Sequence, residues 1–497
     1  MTWARALGGG ALAGLLSAAA FDPWGVPYAM IAAVALLFGV LRSLHTAHVG
    51  VVVACGAVYG LAFMAPLIVW MTAVSTGAYV ALVLAETLIL AALMPLVRAA
   101  TRLPAWPLWA AAAWVLVEEI RGGFPFSGFP WGRLAHTAAD TPFESWVRLL
   151  GMPGLSALLA LCAGLLVVMA TGRIVARAAA TVGVLALVLS GLALPTGVAG
   201  PGPERRIVAI QGDVPGAFLT WPRGEIGELH LTETQRLAED VEAGREPAPD
   251  LVVWPENALD VDPFRDLSLA GRIEELSARL GAPILVGAIL DGPDNATAYN
   301  AGIVWDEEGP QERYVKRKLV PYGEYVPFRR QLGDLVPRID RDIPRDLLPG
   351  DLPGDLRTGR VVVGDTICWD IAYDGIVNAA VDGGAEVLVV QTSNASFTGT
   401  SQPAQQFTIS RLRAIETGRW VVVPSTNGIS GIADAHGTVV EQAPLEEPAT
   451  LAADVVSATG TTPAVVAGPW IRLALLVSGL FAAVVGGRRG RRERRRR

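Results

Sequence analysis

Residues 360–370 read RVVVGDTICWD. The β-branched run predicts a strand over 361–367, and that strand delivers Cys368, with Trp369 and Asp370 behind it, at its carboxyl end. Strand ends are where α/β folds usually place chemistry. Comparable strand-like runs stand at 206–211, 250–254, 283–289, 299–305, 386–391 and 419–424, with amphipathic helical runs near 225–243, 266–279 and 402–417. Strands alternating with helices imply an α/β layered domain of about 250 residues, large enough to bury its own core.

The chain as a whole is too apolar for an ordinary soluble protein: 52% of its 497 residues are hydrophobic and 18% charged, with the apolar residues crowded outside this block. Apolar runs occur at 6–21, 27–42, 48–70, 78–97, 105–121, 149–171, 175–195 and 464–487. Judged against the ~20 residues a spanning helix needs, about eight membrane spans are expected. The small residues at 18–20 resemble a signal-peptide cleavage site, but more spans follow directly, so the first run is read as a retained span.

Arginine placement sets the orientation, because short cytoplasmic loops collect positive charge. Arg5, Arg42, Arg98, Arg102, Arg173 and Arg177 fall on one side together with the tail 488–497, whereas the loops at 22–25 and 72–77 carry no arginine. Both termini are therefore expected in the cytoplasm, and the layered domain on the outer, periplasmic face of a multi-pass protein of the cytoplasmic (inner) membrane. The tail holds eight arginines and reads as an anchor beside anionic lipid rather than a nucleic-acid site. Arg472 stands inside the last apolar run, where it has to snorkel toward the outer interface or face the bundle interior. In the connection 121–136, Phe124, Phe126, Phe129 and Trp131 read equally as an interfacial belt or as the lining of a lipid-facing site.

The net charge of −7 hides a chain whose positive charge is almost all arginine; its two lysines are Lys316 and Lys318. A lysine kept in such a chain suggests chemistry that needs a compact ammonium of tunable pKa. Lys316 lies in RYVKRKLVPYGEYVP, and Glu256 follows the run LVVWP. With Cys368 these make a coherent trio: a thiol is nucleophilic as thiolate, a carboxylate can take its proton, and an ammonium can hold an oxyanion. Taken singly, each has a plainer reading, as a core thiol, a helix-terminal carboxylate and a solvated charge. Three cysteines and five scattered histidines form neither a disulfide framework nor a metal-ligand spacing, so no metal or cofactor is expected.

The flanks of the trio, WPENA at 254–258, KRKLVPYGEYVP at 316–327 and ICWD at 367–370, resemble the motifs of the carbon–nitrogen hydrolase (nitrilase) superfamily. Together with the apolar runs, GFPW at 128–131, IQGD at 210–213, SNASFTG at 393–399, RLRAIETGR at 411–419 and STNGISGI at 425–432, nearly the whole chain resembles the apolipoprotein N-acyltransferase family.

That resemblance implies a membrane domain over 1–199, an α-β-β-α sandwich over 205–457, a further transmembrane helix at 462–487 and a basic tail at 488–497. It implies transfer of an acyl chain from a phospholipid, through a cysteine thioester, to the α-amine of the diacylglyceryl-cysteine of an apolipoprotein. Carried onto this chain, it makes Cys368 the nucleophile, Glu256 the base and Lys316 the oxyanion-side donor. Glu324, Trp369 and Asp370 become supporting residues, and Trp221, Asn394 and Phe397 substrate-binding candidates. The chain departs from the family's pattern at Trp369-Asp370, commonly Tyr-Glu, and at Phe397-Thr398, commonly Trp-Phe. These departures bear on substrate preference more than on the reaction.

The expected partners are a phospholipid donor, a diacylated apolipoprotein acceptor and membrane lipid, with a monomeric chain and no nucleic acid. The proline-rich stretch 321–353 reads as a lid or as a plain long connection. Two rivals stay open: a membrane-tethered amidase or nitrilase that hydrolyses a small C–N substrate with the same trio, and a membrane scaffold or transporter with an inactive domain.

Overall fold

The computed structural model describes residues 2–214, 222–330 and 343–495. The chain divides into two compact units, Met1–Pro195 with Pro463–Arg497, and Thr196–Thr462.

The first unit is helical. Its helices are α1 (Thr2–Ala19), α2 (Ala29–Ser43), α3 (Val49–Leu67), α4 (Thr76–Ala100), α5 (Trp106–Gly123), α6 (Val147–Thr171) and α7 (Ile174–Ala193), joined by the last helix of the chain at Pro463–Arg495. Each occupies one of the eight apolar runs. Among the described residues, five segments are long and apolar enough to cross a membrane: Val49–Leu67, Thr76–Ala100, Glu144–Thr171, Ile174–Ala193 and Pro463–Glu493. The expected eight are thus not all met. Helix α2 has 15 residues, and α5 carries Glu118, Glu119 and Arg121 near its end. In α1 apolar bulk gives way to glycine, which lets the backbones close up: a Cβ on Gly14 would stand 2.5 Å from the Tyr59 carbonyl oxygen of α3.

Several charged residues of these helices are paired, as charges in apolar surroundings need to be. Arg121 donates to Glu86 at 3.1 Å and to the carbonyls of Phe129 and Trp131 at 3.1 and 2.6 Å, folding the connection back onto the end of α5. Phe129 and Trp131 are consequently buried, while Phe124 and Phe126 are exposed. Arg472, unexplained from sequence, pairs with Glu119, which also holds Arg133.

The second unit is a sandwich of two sheets. The first contains β1 (Pro201–Gln211), β2 (Leu251–Val253), β3 (Ile284–Asp291), β4 (Thr297–Asp306), β5 (Gly309–Val315), β6 (Asp346–Leu347) and β13 (Ala449–Ala458). Its order is β13-β1-β2-β3-β4-β5, with β6 beside β4. The second contains β7 (Asp355–Arg357), β8 (Val362–Ile367), β9 (Val387–Gln391), β10 (Val421–Val423), β11 (Gly431–Ala433) and β12 (Val439–Gln442), in the order β12-β11-β10-β9-β8-β7.

The two-residue alternation of a strand builds the layers. Ile207 and Ala209 of β1 join Val363, Ile367, Val387 and Val389 in the core between the sheets. Val208 and Ile210, one step out of phase, pack with Leu231 and Leu237 of α8 (Glu225–Glu242) and Ile273 and Leu276 of α9 (Leu267–Leu280). Helices α10 (Asp374–Asp382) and α11 (Gln402–Thr417) cover the second sheet, and the chain's last helix, α12, is the Pro463–Arg495 segment named above. The domain is therefore the α-β-β-α sandwich that the resemblance implies.

Candidate active site

Three strand ends converge on one buried cluster. Lys316 follows β5 directly, Cys368 follows β8 directly, and Glu256 lies in the turn just beyond β2. Lys316 Nζ donates to Glu256 Oε1 at 2.9 Å and to Glu324 Oε1 at 2.8 Å, and the lysine is 1% exposed. Burial opposes its charge, but the carboxylates of Glu256 and Glu324 outweigh burial and hold the ammonium well above the usual lysine range. Glu256 also accepts from Asn300 Nδ2 at 2.7 Å and, on Oε2, from the Ser393 backbone N–H at 3.0 Å. Glu324 is anchored by the Val320 N–H, 2.7 Å from its Oε2.

Cys368 has φ +50°, a left-handed conformation that non-glycine residues seldom adopt and that recurs at active sites. It ends β8 abruptly and starts the short 3-10 turn Cys368–Ala372. The thiol is half-buried and donates a long hydrogen bond to Gln406 Oε1 of α11, at 3.8 Å. Burial, and next the Glu256 carboxylate, push its pKa up to about 12, with Lys316 pulling the other way. The resting group is therefore a thiol, pulled in opposite directions by the charges of Glu256 and Lys316.

The supporting residues have distinct places. Asp370 is fully buried and accepts from the Tyr314 hydroxyl at 2.6 Å and the Lys318 N–H at 2.9 Å, gripping the backbone next to Lys316. Burial raises its carboxyl to about 6, against the pull of Lys316 and of these hydrogen bonds. Trp369 is turned to Tyr373, its Nε1 donating to the hydroxyl at 2.7 Å. Lys318 stands 5.3 Å above the Tyr373 ring in a cation–π contact. Asn394 reaches the thiol indirectly: its Nδ2 donates to Gln402 Oε1 at 2.9 Å, and Gln402 Nε2 donates to Gln406 Oε1 at 2.7 Å. Phe397 is half-buried in the short turn Ala395–Phe397. Trp221 lies outside the described residues, as does 331–342 of the proline-rich stretch.

Sequence reasoning missed Asn300, which joins both carboxylates by donating to Glu256 and, at 3.4 Å, to Glu324. A visible signal was an asparagine inside an otherwise apolar strand, where its type is disfavoured. It also missed Gln402 and Gln406, a buried amide pair on one face of α11.

Residues 13–165 match the apolipoprotein N-acyltransferase N-terminal domain, and residues 227–463 match the carbon-nitrogen hydrolase family. An apolipoprotein N-acyltransferase of Mycolicibacterium smegmatis is 34% identical over 98% of this chain and 86% of its own length. Another, from Azotobacter vinelandii, is 31% identical over 71% of this chain and 68% of its own. Among solved structures, an amidase from Nesterenkonia sp. is 17% identical over 53% of this chain and 94% of its own, with a TM-score of 0.36. The first of these relatives spans helical unit and sandwich alike, and both sequence families fall where the two units lie, so the chain belongs to the apolipoprotein N-acyltransferase family and is an enzyme of the acyltransferase kind.

Proposed function

We propose that this enzyme N-acylates lipoproteins, carrying an acyl chain from a membrane phospholipid through a thioester on Cys368 to the α-amine of a diacylglyceryl-cysteine. One observation carries the reading: a buried ammonium, Lys316, shared between Glu256 and Glu324 beside a thiol held in left-handed backbone.

In the first half-reaction Cys368 Sγ attacks the donor's ester carbonyl as Glu256 takes the thiol proton. With burial pushing the thiol up to about 12, thiolate is scarce at neutral pH, and Glu256 serves as the base that takes the proton for attack. The oxyanion that forms faces Lys316 Nζ. Collapse breaks the ester C–O bond, Glu256 returns the proton to the departing glycerol oxygen, and a lysophospholipid leaves. In the second half-reaction the acceptor amine attacks the thioester, Glu256 takes its proton, the C–S bond breaks, and the proton returns to sulfur. Glu324 and Asn300 hold Lys316 and Glu256 in register throughout, Asp370 and Trp369 shape the floor beside sulfur, and Asn394, Phe397 and Trp221 belong to the substrate side.

A thioester awaiting an amine needs a site that excludes water, which the burial of Glu256 and Lys316 supports. The arginine distribution supports a placement with both termini in the cytoplasm and the catalytic domain on the outer face of the inner membrane. There a phospholipid donor and a diacylated apolipoprotein are both at hand, and the monomer suffices.

Incubation with labelled phospholipid and no acceptor tests this reading. The wild type should acquire a hydroxylamine-sensitive label and release it to a diacylated lipopeptide. Uptake of the same hydroxylamine-sensitive label by Cys368→Ser would overturn the thioester. Ammonia release from simple amides without acyl transfer would point to an amidase instead.

A further inference from the structure

The core between the two sheets holds a polar cluster. On β8, Val363 and Ile367 face this core, and strand alternation turns Asp365 the same way; on β9, Val387 and Val389 do the same for Gln391. Both polar residues are fully buried. Among the described residues the one donor near the Asp365 carboxyl is the backbone N–H of Thr366, too poorly aligned for a full hydrogen bond, and Gln391 Oε1 has no hydrogen-bond partner. A Cβ on Gly302 of β4 would stand 2.0 Å from Asp365 Oδ2 and 2.4 Å from Gln391 Oε1. The two oxygens thus share the hollow left by the missing side chain of a glycine.

An ionised carboxylate only accepts, and so does an amide oxygen. Packing them together in a dry core without a donor is strongly unfavourable. Turning the Gln391 amide over gives no relief, because its Nε2 donates to the Trp254 carbonyl at 2.6 Å and a carbonyl can only accept. Among the groups facing Gln391 Oε1, the carboxyl of Asp365 is the one that can supply its donor.

We propose that Asp365 is a neutral carboxylic acid that donates its proton to Gln391 Oε1, forming a positioning link between the strand that carries Cys368 and the segment that carries Glu256. The link runs from Asp365 through Gln391 to the Trp254 carbonyl, which leads through Pro255 into Glu256. The titratable groups around Asp365 are Asp370, Glu256 and the Tyr314 hydroxyl. Burial, and then the negative charges of Asp370 and Glu256, hold the Asp365 carboxyl well above the usual carboxylate range. A neutral Asp365 also keeps a further negative charge away from a thiol that must already ionise beside Glu256. The positioning role rests on the reading of Cys368 and Glu256 as nucleophile and base; the protonation state does not.

Asp365→Asn keeps a donor toward Gln391 and cannot ionise, whereas Asp365→Ala removes the link. In the full-length enzyme at neutral pH, Asp365→Asn should label with phospholipid within about threefold of wild type, and Asp365→Ala should fall by about tenfold or more. Infrared difference spectra of wild type against Asp365→Asn, with aspartate carboxyls isotope-labelled, should show the band of a protonated carboxyl. This reading survives even if Asp365→Ala fails to fold. Loss of labelling in Asp365→Asn as complete as in Asp365→Ala, or an ionised carboxylate in the difference spectrum, overturns the proposal. A wild type that never labels would instead overturn the thioester, with the infrared band still deciding the proton.

Discussion

Lys316 and Glu256 meet as a buried ion pair, Nζ to Oε1 at 2.9 Å, although 60 residues separate them in the chain. Replacing the lysine with methionine leaves Glu256 and Glu324 facing each other without a cation, an expected loss of about 3–5 kcal/mol of stability. Acyl-enzyme formation should disappear with it. Lys316→Arg should fail as well, because a planar guanidinium does not fit where one ammonium bridges two carboxylates. Because those carboxylates raise the ammonium's pKa, the pair's contribution should hold through neutral pH and fade only as pH climbs through that elevated value. Denaturation midpoints and phospholipid labelling check this; a Lys316→Met enzyme of wild-type stability would contradict it.

The thiol and its base make opposite predictions for two measurements. In Glu256→Gln the negative charge that helps raise the thiol is gone, so alkylation of Cys368 by iodoacetamide should speed up at a given alkaline pH. Turnover should drop by roughly 10²–10⁴-fold, because the proton acceptor has been lost. If alkylation and turnover fall together, Glu256 is acting on the fold rather than on the proton.

Asp370 should give the reaction an acidic limb. Burial raises its carboxyl to about 6, and protonation weakens its hold on the Lys318 N–H and so on the backbone that positions Lys316. Labelling should therefore decline as pH falls through about 6, and Asp370→Asn should flatten that limb while lowering the plateau by roughly tenfold. The sign for stability is reversed. A buried acid whose folded pKa is raised favours the folded state below its unfolded value of about 4 and loses that contribution as pH rises. A pH–rate profile and a pH series of melting temperatures separate the two effects.

In the helical unit, Arg121→Ala strands Glu86 and releases the carbonyls of Phe129 and Trp131. A loss of about 3–5 kcal/mol is expected, because an unpaired buried charge is left behind. Protease cleavage within 124–131 should become faster. Adding Glu86→Gln should recover part of the stability, since a neutral amide tolerates burial better than a lone carboxylate. Thermal unfolding of the purified single and double variants decides it.

Much of the sandwich was legible because strand and helix periodicity are local. The runs ending at Glu256 and Cys368 appear as β2 and β8, and α11 occupies the expected 402–417. Strand β13, ATLAADVVSA, was missed because its small and polar residues hide the alternation; antiparallel pairing with β1 along its length makes it a strand. Strands β7 and β11, three residues each, are too short to show a period at all. In the helical unit, the apolar runs at 6–21 and 105–121 were legible as helices. Their packing was not legible: Gly14 lies under Tyr59 of another helix, and Arg121 and Glu119 find Glu86 and Arg472 on others.

The sequence by itself determined the fold class, the helical character of the apolar runs and the residue types able to do the chemistry, with Lys316 conspicuous in an arginine-rich chain. Tertiary structure alone decided the partners. It set Glu256 Oε1 against both Asn300 and Lys316, turned Lys318 onto Tyr373 and gave Arg472 to Glu119. It also placed Asp365 and Gln391 together over Gly302. The physical reason is that periodicity depends on neighbours along the chain. Desolvation, charge coupling and the direction of a hydrogen bond depend on distances through space between residues that the chain keeps far apart.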